Sequence, residues 1–194
     1  MSSQQAQPIR MSEKQKMLAG ELYNAQDPIL TADRLHAAAL LHKYNSTPDH
    51  PATHPPLLTE ILASCGEHSA IRPPFFCDYG YNIHLGSGVF LNFNCVLLDV
   101  NTLEIGDRTQ IGPAVQIYAA DHPRDPEARR SNLECGKPVR IGRNVWIGGG
   151  SIILPGITIG DDAIIGAGSV VTHDIPSGIT VIGNPARKKE TPAT

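Results

Sequence analysis

The sequence predicts a mainly β chain wound into a parallel β-helix, with helices confined to its N-terminal third. Three observations predict it. From Ile141 to Pro176, six consecutive six-residue blocks each open on an aliphatic residue: Ile141, Ile147, Ile153, Ile159, Ile165 and Val171. Gly follows the aliphatic residue in four of the six blocks, and the fifth place is always small or β-branched: Val145, Ser151, Ile157, Ala163, Ser169 and Ile175. The same spacing recurs upstream, from Tyr79-Gly80 through Leu85-Gly86 and Leu91-Asn92, then from Ile105-Gly106 through Ile111-Gly112 to Ile117-Tyr118. An amphipathic helix repeats near 3.6 residues and a lone strand at 2. A period of six fits neither. It fits a short strand followed by a corner, three to a coil, with the first-place aliphatics stacked inward. No block can bury its own apolar residue alone, so stacking is obligatory.

Taken in order, residues 1–11 read as a disordered tail. Ser12-Glu13-Lys14-Gln15 carries a capping-box pattern, and Met17, Leu18 and Leu22 follow at helical spacing. A helix over 12–23 is expected. A second starts near Thr31, with Leu35, Ala38, Ala39 and Leu41 as its apolar face, and stops by Asn45. Residues 46–56 are rich in Pro and His and read as a loop. Pro55 and Pro56 then suit a helix start, with Leu57, Leu58, Ile61 and Leu62 carrying a third helix to about Ser64. Residues 12–70 thus form an N-terminal helical segment. Two readings of it stand: a lid over the end of the β-helix, and a contributor to substrate binding. The β-helix itself is placed at 71–184. Its register slips by two residues near Asp99–Asn101, and it is interrupted at 119–138, where Asp121, His122, Pro123, Arg124, Arg129 and Arg130 fall in a stretch with no hexad. A long loop within a compact repeat is usually functional. Residues 185–194 form a C-terminal tail.

The 194 residues carry a net charge of −3, with no basic block before Arg187-Lys188-Lys189, so nucleic acid is not an expected partner. No run approaches the ~18 apolar residues of a membrane span, and the N-terminus is polar. No membrane association and a cytoplasmic location are the expectations. Cys65, Cys77, Cys95 and Cys135 lack metal-site spacing and read as reduced thiols. His50 and His54 are separated by Pro51, which argues against a shared helix face and a metal site there.

Several stretches carry a resemblance: Ala19-Gly20-Glu21-Leu22-Tyr23, Cys77-Asp78-Tyr79-Gly80-Tyr81-Asn82-Ile83, Asn92-Phe93-Asn94-Cys95, Asp121-His122-Pro123, Gly136-Lys137-Pro138-Val139, Asn144-Val145-Trp146-Ile147-Gly148-Gly149 and Gly183-Asn184-Pro185-Ala186-Arg187. Over about residues 12–189 the chain resembles the sugar O-acetyltransferases of the hexapeptide-repeat acyltransferase superfamily, the branch that holds maltose, galactoside and nodulation-factor acetyltransferases. The resemblance implies a left-handed parallel β-helix of hexapeptide repeats with a small N-terminal helical cap and one protruding loop. It also implies acetyl-CoA as co-substrate, a sugar acceptor, no required metal and a homotrimer with active sites between neighbouring prisms.

Residue by residue, the resemblance makes His122 the general base, a role that suits a side chain titrating near neutrality. It makes Asn92 a transition-state or acceptor contact, where the residue alone also reads as a corner Asn tolerating a left-handed backbone. Asp78 and Asp99 match or adjoin acceptor-binding positions, and each also reads as a solvated turn residue. Trp146, Gly149, Ala167, Thr172, His173, Arg187 and Lys188 fall at coenzyme positions; corner glycines and a solvated basic tail are the plainer readings of some of these. The chain departs from the pattern at Gly149, where the galactoside branch has Ser, and at His173, where Lys is common. It also has Phe90 for Tyr and Val100 for Asp, which weakens a galactoside acceptor and leaves maltose or glucose ahead. The competing readings are an antibiotic acceptor on the same fold, a metal site like that of γ-class carbonic anhydrase using His122 with His84 and His173, and a non-enzymatic scaffold. No Ser or Cys stands in a setting that suggests a covalent acetyl-enzyme.

Overall fold

The computed structural model describes residues 11–47 and 54–189, with the side chains of 54 and 55 left aside. The expected disordered tail at 1–10, most of the Pro- and His-rich loop including His50, and residues 190–194 lie outside the described residues.

Residues 64–188 form a parallel β-solenoid of hexapeptide repeats, the architecture of the left-handed β-helix. Its strands stack on three faces. Face A holds Ser64–Cys65, Ile83–Leu85, Leu103–Ile105, Val139–Ile141 and Thr158–Ile159. Face B holds Ala70–Ile71, Phe90–Leu91, Gln110–Ile111, Trp146–Ile147, Ile164–Ile165 and Thr180–Ile182, closed by an antiparallel Arg187–Lys188. Face C holds Phe75–Cys77, Cys95–Leu98, Gln116–Tyr118, Ile152–Ile153 and Val170–Val171. The chain runs A to B to C in each coil. The inward positions are those of the hexads: Ile147, Ile153, Ile165 and Val171 have no exposed surface, and fifth-place Ser151, Ala163 and Ser169 have none either. Each full burial of such an aliphatic side chain is worth about 1.5–3 kcal/mol. The two fifth-place serines satisfy their hydroxyls on corner carbonyls, both bonding Gly166 O.

The first coils are longer than the last. Phe75 pairs with Cys95, 20 residues on, whereas Ile152 pairs with Val170, 18 on. The extra residues sit at the edge between faces C and A, at Asp78–Asn82 and Asp99–Thr102. This is the slip seen in the sequence, and it begins one coil earlier, since the prism starts at Ser64–Cys65. Ile117 pairs with Ile153, 36 on, because the inserted arm adds a coil's worth of chain.

Helix α1 (Glu13–Ala19) has the expected capping box, with Ser12 and Gln15 bonding each other's backbone N–H. It ends four residues before the expected boundary because Gly20 turns left-handed at φ +74 and its N–H caps the last turn. Tyr23–Asn24 leaves as a strand and pairs antiparallel with Leu133–Glu134 of the arm. Helix α2 (Pro28–Ser46) starts earlier than expected, on an Asp27 N-cap that bonds the N–H groups of Ile29 and Leu30. Its buried face is Leu30, Ala37, Leu41 and Tyr44. Leu35, expected in the core, is 68% exposed, and Ala38 and Ala39 are exposed as well. Helix α3 (His54–Ile61) places Leu57, Leu58 and Ile61 in one core with Met17, Tyr44 and the first coil. Asn45 docks α2 on that coil by two bonds to the Phe75 main chain, both 2.9 Å. The arm at 119–138 is an antiparallel pair, Ala120–Asp121 against Cys135–Gly136, around helix α4 (Pro126–Arg130).

Candidate active site

The C/A edge of the prism carries a groove built from three parts of the chain. Coil corners supply Asp78, Tyr79 and Val100; the cap supplies Ala25, Gln26 and Arg34; the arm supplies Glu134. This hollow of about 320 Å³ continues into one of about 240 Å³, where Ala25, Gln26 and Glu134 meet His122, Arg129 and Asn132. His122 is exposed, one residue beyond the Ala120–Asp121 strand. The cap packs on the first coil and also supplies one wall of the groove.

The groove is acidic and half-dry. Asp78 has its carboxyl pushed up to about 6, first by burial and then by the neighbouring Glu134, against the pull of Arg34. Glu134 accepts a 3.0 Å bond from the Tyr23 hydroxyl. Arg34 donates to the Tyr79 hydroxyl at 2.7 Å, to Ala25 O at 2.7 Å and to Thr31 Oγ1 at 3.3 Å. Burial pushes the Tyr79 hydroxyl up to about 12 in spite of that guanidinium. Ionised carboxylates are hydrogen-bond acceptors and suit hydroxyl donors.

Asp99, expected as an acceptor contact, needs correction. It has no exposed surface. Its Oδ1 accepts the N–H groups of Asp78 and Tyr79 at 3.0 and 2.8 Å, and its Oδ2 accepts that of Asn82 at 3.3 Å. Burial drives its carboxyl up to about 7, and these bonds only partly oppose that. Asp99 holds the turn that presents Asp78 and Tyr79, and does not itself line the groove.

Asn92 lies elsewhere. Its N–H bonds Ile111 O, which places it on the B/C edge, in the column that continues as Gly112, Gly148 and Gly166. Its Oδ1 accepts the Phe93 N–H at 2.9 Å, leaving the amide nitrogen as donor. Trp146, Gly149 and Ala167 share that side: Trp146 stands 57% exposed on face B, and the Gly149 and Ala167 corners follow it. The approach of coils there is tight, for a Cβ on Gly148 would lie 2.4 Å from the Ala167 backbone nitrogen. His173, Arg187 and Lys188 gather at the far end of the prism, around a hollow of about 530 Å³ with Ile179 and Val181 in its wall. Thr172 adjoins them, 2.8 Å from His173 Nδ1. The expected coenzyme residues thus form two groups, neither beside His122. Phe90 is half-buried on face B, whereas Val100 lines the C/A groove.

Arg34, Glu134, Gln26 and Tyr79 were not picked out from sequence. Tyr79 sat in a quoted motif, but Arg34 and Glu134 are ordinary charged residues of a helix and a loop, 100 positions apart. A further hollow of about 280 Å³ on the A/B edge is lined by Arg108, Arg143, Asn144, Asp161 and Asp162. Arg143 pairs there with Asp161 at 2.7 Å, and the Asn144 amide donates to Asp162 at 2.8 Å. The three histidines of the metal-site reading fall in three places: His84 outward on face A, His122 on the arm and His173 in the hollow at the far end of the prism.

Known proteins fit this geometry. The maltose acetyltransferase hexapeptide capping motif matches residues 16–66, and the bacterial transferase hexapeptide (six repeats) matches 138–173. The chain is 60% identical over 177 residues to nodulation protein L of Rhizobium meliloti, covering 91% of this chain and 97% of that one. A crystal structure of a maltose O-acetyltransferase from Clostridium difficile superposes with a TM-score of 0.91 at 48% identity, covering 93% and 97% of the two chains. A hexapeptide-repeat acetyltransferase from Vibrio cholerae, complexed with acetyl coenzyme A, superposes at 0.86 with 37% identity, over 95% and 100%. The chain belongs to the hexapeptide-repeat acyltransferases, closely related to the maltose and galactoside O-acetyltransferases and the nodulation protein L homologues, and it is an acyltransferase.

Proposed function

We propose that this acyltransferase takes the acetyl group from acetyl-CoA and gives it to a hydroxyl of a sugar of the maltose or glucose type. The observation that carries the reading is the acidic groove that ends at His122. Its carboxylates suit an acceptor rich in hydroxyl donors, and its exposed imidazole suits removal of one of their protons. The acceptor oxygen attacks the thioester carbonyl carbon while unprotonated His122 takes the hydroxyl proton. The C–S bond breaks, coenzyme A leaves, and the proton passes from the imidazolium to its sulfur. The Asn92 amide is assigned to the developing oxyanion or the acceptor; one such donor is worth ~2.7–4 kcal/mol. Asp78 is assigned to acceptor hydroxyls. Trp146, Gly149, Ala167, Thr172, His173, Arg187 and Lys188 are assigned to the coenzyme, the last two as partners for its phosphates.

This reading calls for a homotrimer. Within one chain Asn92 and His122 stand on different edges with face C between them, so the complete site is assigned to the junction of two copies. The outward row of face C, with Phe76, Val96, Ile152 and Val170, suits burial against a neighbour. The test is thiol release from acetyl-CoA with glucose, maltose, a galactoside, a chitooligosaccharide and chloramphenicol, for the native chain and His122→Ala. Sugar-dependent release that falls ~10²-fold or more in the variant is expected. Release that survives the substitution removes His122 from the mechanism, and release with chloramphenicol alone replaces the acceptor class.

A further inference from the structure

The base reading leaves open what holds His122 still. Among the described residues no hydrogen bond reaches its ring, yet its main chain is fixed from both sides. The Ala120–Asp121 strand carries the chain up to Asp121 against Cys135. Asp121 Oδ1 then accepts the His122 N–H at 2.8 Å. The same carboxylate receives Arg124 in a fork, Nη1 to Oδ1 at 2.8 Å and Nη2 to Oδ2 at 3.1 Å. Arg124 Nη1 also donates to His122 O at 2.8 Å. One ion pair therefore takes both polar groups of the His122 main chain. Around it, Arg129 donates to Pro123 O and Arg124 O at 3.0 and 3.2 Å, and Asp125 caps α4 through the Ala128 N–H.

We propose that the Asp121–Arg124 pair is a clamp that positions His122 for proton removal, with both residues acting through His122 rather than on substrate. The inference rests on the assignment of His122 as base. Three observations separate a positioning role from a contact. Neither Asp121 nor Arg124 lines the cavity that His122 shares with Gln26, Asn132 and Glu134. The Arg124 side chain is 81% exposed, so the ion pair adds little to folding. A guanidinium alone has the planar fork that meets a carboxylate and a carbonyl together, which an ammonium cannot reproduce. The carboxyl of Asp121 is held ionised for this: burial pushes it up, but the Arg124 and His122 N–H bonds outweigh that and leave it below its ordinary range. A base displaced by about 1 Å loses on the order of 10²-fold in rate.

The experiment measures kcat, acceptor KM and melting temperature for Arg124→Ala, Arg124→Lys, Asp121→Asn and the double variant, with His122→Ala alongside. Amide exchange at His122 serves as a readout free of turnover. The expected result for Arg124→Ala and Asp121→Asn is a kcat lower by about 10- to 100-fold, with KM within about twofold. Melting should be unchanged and His122 amide exchange faster. The double variant should be no worse than the poorer single one, because the two residues act as one unit. Arg124→Lys should recover only part of the loss. Full recovery with Lys would show a simple charge effect and overturn the clamp, as would unchanged kcat and exchange in Arg124→Ala while His122→Ala is inactive. An active His122→Ala would overturn the base assignment first, and the clamp with it.

Discussion

Face A and face C of the prism share one inward architecture and differ in everything they show outward. On face A the register Ser64–His84–Glu104–Arg140–Thr158 is polar throughout. It is tied by a 3.2 Å Ser64–His84 contact and a 3.2 Å Arg140–Glu104 pair. On face C the matching register is Phe76–Val96–Gln116–Ile152–Val170. Inward strand residues are apolar on both, aliphatic except for Phe75, Cys77 and Cys95 of face C and Cys65 of face A. The difference teaches that the inward stack builds the coil and the outward row decides what the coil meets. A polar row is content in water; a row that is apolar but for Gln116, with Phe76 46% exposed, is the surface that the proposed trimer would bury.

The largest expected effect comes from putting a charge on face C. Ile152→Glu should leave the coil folded, because the side chain points outward. It should cost several kcal/mol at a buried interface, collapse thiol release and shift sedimentation towards a single 20.8 kDa chain. A variant that sediments and turns over like the native protein would remove face C as the subunit contact.

Next is Gly148→Ala, which tests the close stacking of coils at the B/C edge beside face C. Its Cβ would sit 2.4 Å from the Ala167 backbone nitrogen, so the coils must part. A loss of about 1–3 kcal/mol is expected by chemical denaturation, with acetyl-CoA binding weakened in calorimetry.

A smaller, pH-dependent effect belongs to the C/A edge that bounds both faces. Asp78 and Asp99 have carboxyls raised to about 6 and about 7 in the folded chain. Each therefore holds more proton folded than unfolded above its ordinary value, so stability is fullest below about pH 4 for these two groups and falls as pH rises through 6 to 7. Asp99→Asn should flatten the upper part of that fall, although the amide gives the Asp78 and Tyr79 N–H groups a weaker acceptor. Urea titrations at pH 5 and pH 8 measure it, and an unchanged slope would show Asp99 to be ionised throughout.

The smallest effect is on face A. Arg140→Ala breaks only an exposed pair with Glu104 and should change stability by under about 0.5 kcal/mol, with thiol release and sedimentation unaffected. A loss comparable to that of Ile152→Glu would mean that face A also carries a contact.

The hexads told of the coil because their information is local and periodic. Ile141, Ile147 and Ile153 are spaced by the turn of the chain itself, and the two-residue slip at Asp99–Asn101 announced a wider corner. Ser12 and Gln15 announced their capping box for the same reason, since both partners lie within one turn. Leu35 misled because helical spacing alone does not say which stripe a short amphipathic helix turns inward; Asn45, bonded to Phe75, and Tyr44, bonded to Ile71 O, set α2's rotation. His122 was legible from a loop motif, but the groove around it was not.

By itself the sequence determined the period, the inward stack, the broken register and the protruding arm, because each depends on neighbours along the chain. Tertiary structure alone decided that Tyr23 pairs with Glu134, that Arg34 faces Asp78 across the groove, and that Asp99 is a buried anchor instead of a sugar contact. Those outcomes depend on desolvation and on backbone donors brought together over long sequence separations, and the identity of a charged residue carries no trace of either.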